Sequence, residues 1–163
     1  MDFYPWIVLV HVAAAFAFAL SHGVSAFASF RMRGERDPLK IRALLELSSM
    51  TLGTMYTAFV VLLVAGIAGG IMRGWFAMGW IWAAIGVLLA VSVAMYALAT
   101  RYYANVRTAV GLEAYGAPKG TQPGAASPEA LARLLDTRRP EAIAVVGIVG
   151  LLVILWLMIL KPF

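Results

Sequence analysis

His11 and His22 are the only histidines of the chain, and they share one uncharged run from Phe3 to Phe30. Read as a helix at 100° per residue, a spacing of eleven returns both to one face within ~20°, with roughly 16 Å between them along the axis. The same face carries Ala15, Phe18, Ser25, Ala26 and Ser29, which are small or hydroxylated apart from the phenylalanine. A neutral imidazole has a lone pair that can ligate haem iron or a metal ion, and small neighbours open a slot beside it. No third histidine and no cysteine exists to complete a site. Methionine is the remaining soft donor: Met50, Met55 and Met95 fall near the depth of His22, and Met72, Met78 and Met158 nearer that of His11. His11, His22, Met55 and Met95 are therefore the candidate cofactor ligands, for haem b or for copper, since thioether and imidazole together suit Cu(I). If a haem is held, His22 is expected to matter more than His11, because Met55 and Met95 approach its depth from two different spans. The plainer reading makes the histidines packing groups that donate to a helix carbonyl or a serine, and the methionines core filler.

Other chemistry finds little support. No acid lies inside a span to orient a histidine, and no Gly-x-Ser-x-Gly elbow, phosphate-cradling loop or zinc-spaced ligand set occurs. No catalytic residue is assigned, and the chain is read as more in keeping with a non-enzyme. Glu46, followed by Ser48, Ser49, Thr51, Thr54 and Thr57, has the residue types of a proton or cation path. Pairing of Glu46 with Arg42 or Arg33, and hydroxyls joining helices, explains the same residues more simply.

The elements that must position these groups are transmembrane helices. The chain is 63% hydrophobic and 13% charged, with a mean hydropathy of +0.87, more apolar surface than a soluble domain of 163 residues can bury. The expected architecture is all-α: a single membrane domain, residues 1–163, forming a four-transmembrane-helix bundle. The spans are about 4–31, 47–72, 80–101 and 142–160. Pro5 lies in the first turn of the first span, where a missing N–H is harmless. The second helix is expected to begin after Pro38 and the third to continue through Arg107. Between residues 73 and 80 a tryptophan-rich turn reads as an interfacial belt. In the polar stretch before the fourth span, Ser127-Pro128-Glu129 reads as a cap and first turn. Leu131, Leu134 and Leu135 then share a face, with Glu129 placed to pair with Arg133. This predicts a short amphipathic interfacial helix. Small residues at 65–70 and the pair Gly147 and Gly150 offer close-packing surface, from which a homo-oligomer or association with other membrane subunits is expected.

Charge sets the expected orientation. Arg31, Arg33, Arg36, Lys40 and Arg42 lie between spans one and two, and Arg101, Arg107, Lys119, Arg133, Arg138 and Arg139 between three and four. Only Arg73 and Lys161 lie on the other side. This bias puts the basic loops, about 31–46 and 101–141, in the cytoplasm and both termini outside. It also accounts for the net charge of +5 without a nucleic-acid partner. Met1-Asp2-Phe3 has no base, so the first span is expected to be retained rather than cleaved.

The segments HVAAAF with SHG, RMRGERDPLKIRALLELS, LLVAGIAGGIMRGW and GWIWAAIGVLLAVSVAMYALATRYY together resemble a family of small bacterial four-span membrane proteins of unassigned function. These are in turn distantly similar to copper-resistance protein D and to di-haem b-type membrane cytochromes. The resemblance covers most of the chain and implies the four-helix fold and a bacterial cytoplasmic (inner) membrane. Against the di-haem cytochromes the chain keeps His11 and lacks histidines in spans two to four. Two functions follow as expectations: a structural or accessory subunit of a membrane assembly, or a haem b-binding (or copper-binding) electron-transfer protein ligated through its first span.

Overall fold

The computed structural model describes residues 2–118 and 124–163, so Lys119 of the second basic loop lies outside the described residues. The protein is all-α. Among the described residues, four helices are long and apolar enough to cross a membrane. In order the elements are α1 (Tyr4–Arg33), α2 (Pro38–Met72), a single 3-10 turn (Trp75–Ala77), α3 (Gly79–Ala109), α4 (Pro128–Leu135) and α5 (Arg139–Leu160). Two helix starts, those of α2 and α4, carry a side-chain cap. Asp37 accepts from the Leu39 N–H at 2.9 Å, and Pro38 then occupies the first turn. Ser127 accepts from the Ala130 N–H at 3.3 Å, again followed by proline. Gly74 takes φ 67°, the left-handed conformation that lets α2 turn sharply into the 3-10 segment.

The helices pair as two antiparallel hairpins, α1 on α2 along their length and α3 on α5, with only limited contact between α1 and α5. Hydroxyls join the first hairpin near the basic end. Ser48 donates to Ser25 Oγ at 2.8 Å, and Thr51 lies 3.4 Å from the Ser21 carbonyl. Farther along, the Phe18 and Phe59 rings meet with centroids 5.5 Å apart. These contacts place the serine face of α1 against α2, as expected of polar groups that have no water to turn to. The role suggested for Glu46 is the simpler one: Arg42 Nε donates to it at 3.1 Å, one helical turn away, on an exposed face.

Two clusters join the hairpins at opposite ends. At the basic end, Met32, Ile41, Leu45, Tyr102, Val106, Leu131 and Leu135 form a buried core drawn from four helices. The amphipathic helix α4 is therefore present, and the Leu131–Leu135 side of it is buried in the protein's own core rather than in lipid. Leu135 is fully buried. Glu129 makes no ion pair with Arg133; it contacts Ser127 and its own backbone N–H at the start of α4. The Tyr102 hydroxyl is buried in this core without a hydrogen-bond partner among the described residues, a desolvation cost of ~1–3 kcal/mol that the surrounding packing must offset. Arg33 pairs with Glu141, tying α1 to the start of α5.

The opposite end is closed by Trp80, Ile81, Ala84 and Leu157, with Trp75, Phe76 and Met158 against them. The tryptophan-rich turn is thus divided. Trp80 is 2% exposed and Trp75 half-buried inside the cluster, while Trp82 faces outward. Cations cover the rim, Arg73 over the Tyr4 ring and Lys161 over the Trp75 ring, each 4.0 Å from the centroid. The Phe163 carbonyl accepts from the Trp80 N–H at 3.1 Å, anchoring the residues after α5 to the start of α3.

A polar latch that the sequence did not announce folds the segment after α3 back onto the basic end. Arg107 donates through Nε to the Glu113 carbonyl at 2.8 Å and through its guanidinium to Ser49 Oγ at 3.1 Å. It also lies 4.1 Å above the Tyr115 ring, whose hydroxyl contacts Ser49. Nearby, Glu35 accepts from the Asp37 and Arg36 N–H groups, which hold its carboxyl below the usual range.

Candidate functional site

The two histidines share a face of α1, yet the tertiary structure gives them different surroundings. His11 looks onto α2. Its Nδ1 lies 2.9 Å from the Leu62 carbonyl, so Nδ1 carries the proton and donates, leaving the lone pair on Nε2. The ring fits there because residue 66 is glycine: a Cβ at that position would meet His11 Cε1 at 3.0 Å and Nδ1 at 3.2 Å. The Nδ1 bond to Leu62 joins α1 to α2.

His22 faces the other hairpin. Its ring stacks on Phe18, with centroids 6.0 Å apart and planes 8° from parallel. Neither ring nitrogen has a hydrogen-bond partner among the described residues. Across from it, α5 presents Gly147. A Cβ built there would lie 3.6 Å from His22 Nε2 and 2.8 Å from Met95 Cε. Thus an imidazole from α1 and the terminal methyl of Met95 from α3 meet over a glycine of α5. Met95 and His22 are both partly buried.

Of the four candidate ligands, then, His22 and Met95 are brought together. His11 is engaged on α2, and Met55 stays elsewhere: it is half-buried on α2, and no atom of it lies within 4 Å of the point above Gly147. Among the other methionines, Met50 is 79% exposed, Met72 and Met78 are also exposed, and Met158 packs in the tryptophan cluster. Gly147 entered the sequence reading only as packing surface. Nothing local marks it as the floor of a junction, because its partners come from residues far away in the chain.

The fit of a haem can be judged from this geometry. An iron ligated by His22 would sit about 2 Å from Nε2, with a flat macrocycle extending around it. The α5 backbone at Gly147 and the Met95 side chain lie on that side of the ring. No group of three or more His, Asp or Glu side chains suited to a metal ion occurs among the described residues.

The glycines expected to serve association between chains are used within this one. Gly66 receives His11, Gly69 faces Ile7 and Tyr4, Gly70 receives Phe76 and Ile81, and Gly150 receives Val91. The small-residue surface that stays open is different. A groove of about 670 Å³ runs along α1 and α2, lined by Ala13, Ala14, Ala17, Gly53, Thr54, Thr57 and Ala58 with Val10 and Val61 at its edge. Gly53, Thr54 and Thr57 are exposed in it, and nothing lies within 4 Å of a Cβ placed on Gly53. No family model matches the chain, and no curated protein and no solved structure is significantly similar to it.

Proposed function

We propose that the protein is a structural or accessory subunit of a membrane assembly, and that a helix of a second copy docks in the groove between α1 and α2. The observation that carries this reading is the groove itself. Ala13 and Ala17 on α1, and Gly53 and Thr57 on α2, repeat small residues at a spacing of four on both walls, the pattern that lets helix backbones approach closely in lipid. Thr54 and Thr57 are exposed in the middle of an apolar span, where a neighbouring helix can accept from their hydroxyls and lipid tails cannot. Closed ends and tightly paired hairpins suit a rigid module that presents one such face.

Gly53→Leu tests the groove cleanly, because a side chain there meets open space within the chain. In mild detergent the parent is expected to run as a multiple of one chain and Gly53→Leu as a single chain. Gly86→Leu, also facing open space, should behave as the parent. A single-chain parent, or a Gly53→Leu variant of unchanged mass, overturns the reading.

The same proposal places the module in a bacterial cytoplasmic membrane, with the α1–α2 and α3–α5 connections inside and both termini outside. The support is the distribution of Lys and Arg. Since the parent has no cysteine, single-cysteine labelling in intact cells is decisive. Ala77→Cys, exposed at the tryptophan end, is expected to react with an impermeant maleimide from outside. Asp136→Cys, exposed after α4, should react only once the membrane is opened. The reverse pattern inverts the topology.

A further inference from the structure

We infer that the basic end of the α3–α5 hairpin holds the headgroup of an anionic phospholipid, with the guanidinium groups of Arg101, Arg138 and Arg139 around its phosphate. The inference goes beyond the assembly reading and does not depend on it. It requires only that this end of the hairpin meets a membrane surface. Pairing is the first observation behind it. Many cations of the basic end are engaged within the chain: Arg33 by Glu141, Lys40 by Glu35, Arg42 by Glu46, and Arg107 by Ser49 and the Glu113 carbonyl. Arg31 lies in the field of Glu35. Arg101, Arg138 and Arg139 are exposed and form no ion pair among the described residues. The acids nearest them in the chain are Glu141, taken by Arg33, and Asp136, which forms no ion pair among the described residues either.

Position and depth select the ligand. Arg139 Nη1 lies 3.4 Å from the Leu98 carbonyl, which sets the start of α5 beside the turn of α3 that carries Arg101. Leu98 and Arg101, three residues apart, are neighbours on the helix surface. Like charges gathered without an acid repel one another, and a phosphate shared between guanidinium groups offsets that repulsion with charge-assisted hydrogen bonds. Arg101 lies about 33 Å along α3 from Gly79, and Arg139 about 33 Å along α5 from Lys161. Both are thus about one hydrocarbon thickness from the tryptophan end, at headgroup depth. Tyr96, 73% exposed, comes just before Arg101, as aromatic residues do at a membrane boundary. Arg42, about 45 Å along α2 from Met72, lies beyond that depth. A free phosphate offers the same chemistry as a lipid phosphodiester, but α3 favours the lipid. Val93, Ala97 and Arg101 form an exposed row at a spacing of four, along which an acyl chain of the same molecule can lie.

The experiment uses the purified full chain in mild detergent with equal amounts of dioleoyl phosphatidylglycerol and dioleoyl phosphatidylcholine, and native mass spectrometry counts the lipid retained. One phosphatidylglycerol per chain is expected, in at least roughly tenfold preference to phosphatidylcholine. Arg101→Gln and Arg138→Gln should each weaken retention about fivefold, and the two together about twenty-five-fold. Neither side chain makes a hydrogen bond among the described residues, so the lipid-free thermal midpoint should match that of the parent. Arg42→Gln makes the same change of charge at a paired residue and should leave retention unchanged. Inorganic phosphate at millimolar concentration should not displace the lipid. Equal retention of the two lipids overturns the proposal. So does retention unchanged in the double variant, an equal loss in Arg42→Gln, or displacement by inorganic phosphate.

Discussion

Gly150→Leu is expected to prevent α5 from seating on α3 and to leave little folded protein. A Cβ at residue 150 would overlap a methyl of Val91, and Val91 has almost no freedom to give way, because a β-branched side chain in a helix is held to one rotamer. Inserting even one methyl into such a contact costs ~1–3 kcal/mol, and the further carbons of leucine must then push the helices apart. Stabilities are commonly ~5–15 kcal/mol, so displacing a whole helix of one hairpin removes a large share. The measurement is the fraction of chain surviving as a sharp peak in mild detergent, with the SDS concentration that unfolds it. Gly150→Ala should lower that midpoint and Gly150→Leu should abolish the folded peak. Gly53→Leu and Gly86→Leu, with nothing within 4 Å, should keep it. If Gly150→Leu unfolds with the parent, the α3–α5 packing described above is wrong.

Trp80→Ala should produce the second large effect. Trp80 is fully buried, forms the centre of the cluster with Ile81, Ala84 and Leu157, and meets the Trp75 ring edge-on at 5.3 Å. Its removal leaves a cavity the size of an indole at the end where the turn after α2, the start of α3 and the end of α5 converge. Buried Trp→Ala changes cost ~3–5 kcal/mol, which for a chain of this size corresponds to roughly 10 °C in thermal midpoint. Trp82→Ala is the matched control: it also loses an indole, but from a position 59% exposed, with a single bond from Nε1 to the Phe76 carbonyl at 3.0 Å. Its effect should be within about 1 kcal/mol. Thermal unfolding of both variants in the same detergent compares the two directly. Equal shifts would mean that this cluster does not hold the hairpins together.

The contrast between the two tryptophans shows where sequence reading reaches its limit. Residues 73–80 read as an interfacial belt because tryptophan density is a local property. Which ring turns inward is decided by what α5 and the Phe163 segment bring to that end. Leu131 and Leu135 behave in the same way. Their spacing makes α4 amphipathic on any reading, but an apolar face is satisfied equally by lipid or by a protein core. The nearness of Met32, Ile41 and Tyr102 makes it the latter.

The sequence by itself determined the elements and their membrane character. Long uncharged runs can satisfy their backbone in hydrocarbon only as helices, and Asp37-Pro38, Ser127-Pro128 and Gly74 mark starts and turns through their own side-chain and backbone chemistry. It also put His11 and His22 on one face of α1, since helical periodicity needs only the spacing. Only the tertiary structure decided what that face meets. His11 rests on Gly66 and donates to Leu62, while His22 looks across the seam at Met95 and Gly147. The same partition holds for the glycines. A small residue is visible in the sequence, but whether the space above it is filled by Val91, shared by His22 and Met95, or left open as at Gly53 depends on which distant helix lies there. The physical reason is range: propensity, capping and periodicity act within a turn or two of helix, whereas a junction between spans exists only once packing has fixed the relative depth and rotation of helices far apart in the chain.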